Sequence, residues 1–168
     1  SYNSDVVTSY SFENTVSAYF SPYAAPLEEK PLYSIYSVPS AGLDPLTGDP
    51  RLLIRGEIVT DYDNLLNTIS VDDLTFHGSA LPMHFGSFVS SFGYGNFSIG
   101  FSINYKLDYW FRKSSIAYLD LYDRWVGNVD FENRWTKPGD ENLTNVPSMP
   151  LLGASYMRDF AYSYSDAV

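Results

Sequence analysis

The sequence predicts an all-β fold of antiparallel strands, and three observations support this. The 168 residues include 15 Tyr, 11 Phe and 3 Trp, and aromatic residues are enriched in strands. Residues 97–105 alternate without exception between large apolar and small or polar side chains, which is the two-residue period of a strand. Gly93-Tyr94-Gly95-Asn96 precedes them and suits a tight turn. The length is that of one structural unit with a modest core.

The N-terminal half contains weaker signals. Mixed alternation over residues 6–20 predicts one or two strands. Six prolines over residues 21–50 prevent continuous ladder bonding, so we expect mostly loop with a short extended piece at residues 32–38. Residues 51–60 predict a strand, and the polar start of residues 61–74 predicts a turn or short helix.

The clearest prediction is a hairpin of residues 85–92 and 97–105. Its alternating aromatic face would pack either on lipid or on a second sheet of a soluble sandwich. We expect residues 106–111 to continue the second strand. Tyr105, Tyr109 and Trp110 are then candidate membrane-interface aromatics, because amphipathic rings favour that boundary; the alternative is ordinary, partly buried aromatics.

The C-terminal third mixes patterns. Ile116, Leu119, Tyr122 and Val126 recur at helix-like spacing, which predicts a short helix within residues 114–126. Residues 127–153 are polar and contain proline, so they predict a loop. The aromatic-rich residues 156–164 predict a further extended segment.

Composition excludes several classes of function. Ten Lys and Arg against twenty Asp and Glu give a net charge of -10, which repels phosphate backbones and argues against a nucleic-acid partner. Without cysteine the chain forms no disulfide and no thiolate metal site. The longest apolar runs fall short of the roughly 18 to 20 residues of a membrane helix, whereas a barrel strand needs only about 9 to 11 residues.

Catalytic and metal sites have little support in the sequence. Carboxylates between residues 120 and 132 read as solvated loop charges rather than a glycosidase pair. Asp44, Thr47 and Asp49 offer oxygen atoms to calcium but too few of them, and His77 and His84 fix no metal geometry. Nucleophile-elbow and nucleotide-binding glycine motifs are missing from the sequence. We therefore expect no enzyme activity, no metal and no cofactor, with calcium as a minor alternative.

Four motifs follow one another along the chain: AGLDPLTGDP at residues 41–50, HGSALP at residues 77–82, FGYGNFSIGFSINYK at residues 92–106, and NRWTKPGDE with TNVP between residues 133 and 147. In this order they resemble the SusC-like (RagA-like) family of TonB-dependent outer-membrane transporters. The second departs from the family at residues 83–87, where a lysine and two glycines are usual.

The resemblance implies a transmembrane barrel of about 22 strands with long extracellular loops. Residues 1–168 would then be part of that barrel, without the plug, the segment that contacts TonB, or the final strands. The whole protein would import glycans or peptides across the bacterial outer membrane with a SusD-like surface lipoprotein. Two alternatives stay open: a soluble all-β carbohydrate-binding module, and a small passive outer-membrane barrel.

One cluster of residues has the composition of a sugar-binding surface, where aromatic faces stack on C–H surfaces beside planar polar groups. The candidate contacts to ligand or lipoprotein lid are Trp125, Asp130, Asn133, Arg134 and Trp135. The alternative, which the sequence favours, is that Arg134 and Trp135 pin the long loop in place.

Overall fold

The computed structural model describes residues 1–11, 15–20, 26–151, 153 and 155–168. Antiparallel β-structure dominates, with few helices, in agreement with the predicted class. The strands are β1 (Ser34–Ser37), β2 (Ser40–Leu43), β3 (Pro50–Ile54), β4 (Glu57–Val59), β5 (Thr75–Ser79), β6 (His84–Tyr94) and β7 (Phe97–Leu107). The α-helices are α1 (Leu65–Thr68), α2 (Tyr118–Arg124) and α3 (Tyr156–Ser163). Short 3₁₀ helices span Val16–Phe20, Val71–Asp73, Val129–Asn133 and Asp140–Asn142.

The strands form three separate antiparallel sheets: β1 with β5, β2 with β3 and β4, and β6 with β7. None of them closes into a barrel within the described residues. We call β6, β7 and their turn the ribbon, and the described residues of 15–20, 34–79 and 112–168 the body. The body holds the apolar core, whereas the ribbon projects from it.

The ribbon confirms the predicted hairpin. Eleven residue pairs run in unbroken register from His84 opposite Leu107 to Tyr94 opposite Phe97, and Gly95 begins the two-residue turn with a φ of 59°. Opposed residues share a face of the sheet, so almost all the large apolar side chains collect on one side. That face carries Phe88, Phe92, Tyr94, Phe97, Ile99, Phe101, Ile103, Tyr105 and Leu107.

The main core lies where α3 packs against β3. Val38, Leu52, Ile54, Leu65 and Ile69 are buried there together with Phe20, Phe160 and Ala161. A second cluster joins α2 and α3 to the end of the long loop through Ile116, Tyr118, Val146 and Tyr162. These clusters bury side chains from both halves of the chain, so the body folds as one packed unit.

The prediction of an extended segment at residues 156–164 is wrong, because this segment forms α3. Met157, Phe160, Ala161 and Tyr164 follow the i, i+3, i+4 spacing of a helix and all pack into the main core. Ser155 caps the N-terminus of the helix, and its side chain accepts a hydrogen bond from the Arg158 amide at 3.4 Å. Aromatic content favours strands only weakly, and packing outweighs that preference here.

Three further predictions need correction. Residues 6–11 contain no strand and residues 16–20 form a 3₁₀ helix that buries Tyr19 and Phe20, while residues 12–14 lie outside the described residues. Residues 51–60 form the β3–β4 hairpin instead of one strand, because Arg55 and Gly56 both take positive φ, 52° and 84°. Strand β7 ends at Leu107 instead of continuing to residue 111, since Asp108 turns the chain with a φ of 57°.

Residues 40–43 lie within the predicted loop of residues 21–50 but form β2, because Pro39 and Pro45 flank this strand without interrupting it; residues 21–25 lie outside the described residues. The other predictions of local structure are confirmed. The extended piece at residues 32–38 contains β1, and residues 61–74 contain α1 and a 3₁₀ helix. The helix predicted within residues 114–126 is α2. The predicted loop over residues 127–153 has only 3₁₀ turns among its described residues.

Truncation of Leu52 tests the main core. Leu52 is 0% exposed and its neighbour Leu53 on the same strand is 40% exposed. We expect Leu52→Ala to lower the free energy of unfolding by about 2–5 kcal/mol, because a buried leucine leaves a cavity. Leu53→Ala, the matched control, should cost much less. Urea unfolding followed by tryptophan fluorescence measures both, and equal losses would contradict this assignment of the core.

Candidate functional site

Two of the family-like motifs, distant in sequence, meet in the body. The first is the turn of residues 44–49, in which the Asp44 carboxylate accepts hydrogen bonds from the amides of Leu46 at 2.8 Å and Thr47 at 3.0 Å. These bonds, that from Leu46 above all, lower the pKa of Asp44. Gly48 then takes a φ of 70° and donates its amide to the Asp44 carbonyl at 2.8 Å. These hydrogen bonds close the turn, and Gly48 is buried within it.

The second motif is the loop of residues 134–148, which is folded by its own acidic side chains. Asp140 accepts hydrogen bonds from the Thr136 hydroxyl at 2.8 Å, the Thr136 amide at 3.0 Å and the Lys137 amide at 3.1 Å. The Thr136 hydroxyl contributes most to lowering the pKa of Asp140. Glu141 accepts from the Gly139 amide at 2.7 Å and from the Trp135 indole N–H at 3.3 Å. The loop thereby fixes the orientation of Trp135.

Trp135 packs directly on Gly48. A β-carbon added to Gly48 would lie 2.4 Å from Trp135 Cδ2, closer than any side chain allows. The Ser148 amide also donates to the Gly48 carbonyl at 2.9 Å. The glycine is thus required twice, for its positive φ and for the space that the indole occupies.

Arg158 joins α3 to both motifs. Its Nε donates to Asp49 Oδ1 at 2.7 Å, and one terminal nitrogen donates to the Ser148 carbonyl at 2.8 Å and hydroxyl at 3.2 Å. The residue is only 5% exposed, so this charge depends on its carboxylate partner. Its guanidinium lies over the Tyr118 ring at 5.6 Å, and burial raises the pKa of Tyr118 to about 12.

A cleft of about 730 Å³ opens at this junction. Its walls include Thr47, Asp49, Arg134, Trp135 and Arg158. Hydroxyl, carboxylate and guanidinium groups here lie beside exposed apolar residues such as Leu46. Such a lining suits a polar ligand with apolar patches, for example a sugar or a short peptide. We call it the motif cleft.

The predicted contact residues divide into two groups. Arg134 and Trp135 both line the motif cleft, but each also has a structural contact. Trp135 packs on Gly48, and the Arg134 guanidinium lies 4.0 Å from the Phe131 ring centroid and donates to the Phe131 carbonyl. Asp130 is buried in an ion pair with Lys113 at 2.9 Å. Trp125 is 89% exposed beyond α2, Asn133 is exposed, and neither lines the motif cleft.

The predicted interface aromatics all lie at the base of the ribbon. The Tyr105 ring covers Gly86 on the paired strand, where an added β-carbon would lie 2.7 Å from the Tyr105 hydroxyl. The Trp110 ring fills the space beside Gly78 and lies 5.2 Å from the His77 ring. Tyr105, Tyr109 and Trp110 remain partly exposed. They mark the boundary between ribbon and body.

A serine and a histidine, two residue types common in catalytic sites, lie in contact in the body, and this contact has a structural role. Ser37 Oγ and His77 Nε2 lie 2.7 Å apart across β1 and β5. Ser37 is almost fully buried, so its hydroxyl is inaccessible to a substrate. The pair therefore ties the two strands together.

The possible calcium ligands are also engaged, since Asp44 closes its own turn and Asp49 pairs with Arg158. Across the described part of the chain, His, Asp and Glu side chains form no group of three or more suited to a metal ion.

Sequence reasoning missed Gly48, Asp49 and Arg158 as residues of this site. The TGDP segment identifies a turn, but the 109 residues between Asp49 and Arg158 hide their contact. No local pattern pairs residues over such a separation.

Comparison of the chain with protein-family models gives no match, and comparison with curated protein sequences gives none either. The relationship to SusC-like transporters therefore stays a prediction from the motifs. Among the helices of the described residues, none is both long and apolar enough to cross a membrane.

Substitution of Gly48 tests the contact between the motifs. Gly48→Ala and Gly56→Ala both place a β-carbon at positive φ, a strain of about 1–2 kcal/mol. Only the former meets Trp135, because Gly56 has open space around it. We expect Gly48→Ala to cost clearly more stability and to shift the Trp135 fluorescence, identified with Trp135→Phe. Equal losses of unfolding free energy for the two variants would argue against the packing of Trp135 on Gly48.

Proposed function

We propose that this chain is a wall segment of an outer-membrane β-barrel and that the ribbon supplies two neighbouring membrane-spanning strands. The observation that carries the proposal is the exposure of the ribbon. Every residue of β7 is exposed, including Phe97, Ile99, Phe101 and Ile103. Contiguous apolar surface of this kind marks an interaction site or a membrane-facing surface.

The dimensions of the ribbon fit a bilayer. Each strand has 11 residues, within the range of about 9–11 for tilted transmembrane strands. At about 3.4 Å per residue the strands are roughly 34 Å long. Tilted by about 40°, they would cover a height near 25 Å, the height of the apolar band on outer-membrane barrels.

The two faces of the ribbon also differ as a barrel wall requires. The face opposite the aromatic one carries Ser98, Gly100, Ser102 and Asn104 on β7, and on β6 it includes Ser87, Ser91 and the larger Phe85 and Val89. A barrel wall alternates lipid-facing apolar residues with smaller or polar residues facing the lumen. We assign the aromatic face to lipid and the other face to the lumen.

Aromatic residues at both ends of the ribbon support the assignment of its aromatic face to lipid. Tyr105, Tyr109 and Trp110 lie at the base, while Tyr94 and Phe97 lie at the tip and are 90% and 80% exposed. Outer-membrane barrels carry aromatic girdles at both interfaces. The short Gly95-Asn96 turn would face the periplasm, and the body would form extracellular loops, since these are the longer ones.

The proposal requires further strands on both sides of the ribbon. Within the described residues, the outer edges of the ribbon pair only with the N-terminal segment: Tyr2 forms a bridge with His84, and Ser1 and Phe85 exchange backbone hydrogen bonds at 2.9 and 3.1 Å. Unpaired backbone groups in hydrocarbon cost several kcal/mol each, so a stable wall must pair both edges.

The finer proposal is active import, and it rests on the resemblance to SusC-like transporters. In that proposal a SusD-like lipoprotein covers the extracellular side, TonB supplies energy through another part of the protein, and the cargo is a glycan or a peptide. The motif cleft lies in the body, which in this proposal forms the extracellular loops. The contact between two of the family-like motifs supports reading them as one functional unit.

Single cysteines test the orientation of the ribbon, because this chain has none of its own. We expect a bimane label on Phe101→Cys to be quenched by nitroxide-labelled lipid, and a label on Ser102→Cys by aqueous iodide. These neighbouring positions lie on opposite faces. The protein carrying the chain would be reconstituted in liposomes for both measurements. Leu46→Cys, exposed in the body, is the water-accessible control.

The same cysteine variants, together with an uptake assay, distinguish the importer from a soluble carbohydrate-binding module and from a passive barrel. A protein that stays out of the membrane fraction, with Phe101→Cys shielded from lipid, would support the soluble module and contradict the barrel wall. A passive barrel would give the alternating pattern but take up oligosaccharides or peptides equally well in cells with and without TonB. Uptake that requires TonB, together with alternating quenching, supports the importer.

A further inference from the structure

A second cleft, separate from the motif cleft, lies between α3 and the segment that leads into α2. Its volume is about 540 Å³. The α3 side carries aromatic rings at four-residue intervals, Tyr156, Phe160 and Tyr164, and the facing side carries Arg112 and Arg124. The cleft thus combines a ring-lined wall with cations, in a chain whose net charge is -10.

The aromatic wall offers one open ring. Successive centroids are 6.3 Å apart between Tyr156 and Phe160 and 4.5 Å apart between Phe160 and Tyr164. Phe160 is buried and Tyr164 is covered by Arg112, whose guanidinium lies 4.6 Å from its ring centroid. Tyr156, 64% exposed, is therefore the ring on which a ligand can stack.

Arg112 is the unusual charge in this cleft. It is partly buried, and it donates hydrogen bonds to the carbonyls of Ser163, at 3.2 Å, and Tyr36. Both acceptors are neutral. Within the described residues no carboxylate forms an ion pair with Arg112, and burial lowers its pKa. A partly buried cation that lacks a counter-charge is costly, and a ligand carboxylate would offset that cost.

The other charged groups around the cleft already have partners. Arg124 pairs with Asp120 at 3.4 Å, and Lys113 pairs with Asp130 at 2.9 Å. Asp159 is buried and accepts a hydrogen bond from the Leu119 amide at 2.7 Å. Burial raises the pKa of Asp159. Arg112 therefore remains as the group that can recognise an anion.

We infer that this cleft binds a ligand carboxylate through Arg112 while Tyr156 stacks on the body of the same ligand. A guanidinium has five N–H donors in a planar fork that matches a carboxylate, and the two carbonyl bonds leave donors available. Such a carboxylate belongs either to a uronic-acid sugar or to the C-terminus of a peptide. The inference rests on the proposed function in one respect: it takes the ligand to be the cargo of the proposed importer and names the carboxylate as the group by which that cargo is recognised.

Isothermal titration calorimetry on the purified protein tests the site with two pairs of probes. One pair is trigalacturonic acid and its methyl ester, and the other is a tripeptide and its C-terminal amide. We expect one of the free acids to bind at least about tenfold more tightly than its neutral derivative, since charged hydrogen bonds contribute that much or more. The pair that shows the difference identifies the source of the carboxylate.

Variants locate the binding to this cleft. Arg112→Gln should weaken binding of the free acid at least about tenfold, and Arg112→Lys should recover part of it. Arg55→Gln removes the same charge from an ion pair on the β3–β4 turn and is the matched control. Tyr156→Ala alters an exposed ring without touching Arg112, so it tests the site even if Arg112→Gln lowers stability; we expect several-fold weaker binding.

Three results would overturn the inference: failure of both free acids to bind, equal affinity for acid and neutral derivative, or equal affinity in Arg112→Gln and Arg55→Gln. These results are independent of the quenching experiment on the ribbon. Selective binding without lipid contact would refute the barrel wall and keep this site, whereas lipid contact without binding would do the reverse.

Discussion

The body depends on the hydrogen bonds and the ion pair that the buried Arg158 forms. Its guanidinium joins α3 to the turn of residues 44–49 through Asp49 and to the long loop through Ser148. Removing one partner of a buried charge pair is far more costly than the pair itself is stabilising, so these three segments must assemble together. Trp135 on Gly48 closes the same junction by packing. The geometry of the motif cleft follows from these two contacts.

The body buries its apolar side chains, whereas the ribbon leaves most of its apolar side chains exposed. The body encloses its apolar side chains in clusters shared by distant segments, as a water-exposed domain does. Within the described residues, the long strands of the ribbon are held in register by cross-strand contacts, such as Phe88 with Phe101 at 5.8 Å between centroids, and pair with other strand residues only at the Tyr2–His84 bridge. A two-stranded hairpin is marginal in water. The difference between the two parts, more than either part alone, favours lipid as the environment of the aromatic face.

Local signals in the sequence predicted the ribbon and α2, but not the N-terminal segment or α3. The ribbon combines strict alternation with a glycine turn, and both signals agree with its final register. The aromatic content of residues 156–164 favours a strand, whereas Met157, Phe160, Ala161 and Tyr164 have helical spacing and pack into the core as part of α3. The motif cleft was only half predicted: Arg134 and Trp135 were identified, but Asp49 and Arg158 come together through tertiary packing alone.

Arg112 and Arg158 show how structural and ligand-binding arginines can be distinguished in one chain. Both lie against tyrosine rings and donate to backbone carbonyls. Arg158 is nearly inaccessible and has a carboxylate 2.7 Å away, so its charge is compensated within the fold. Arg112 lines an open cleft, and its acceptors are neutral carbonyls. Desolvating a guanidinium is costly, and the two neutral carbonyls leave the charge of Arg112 without a carboxylate partner. Binding of an anionic group supplies the missing compensation.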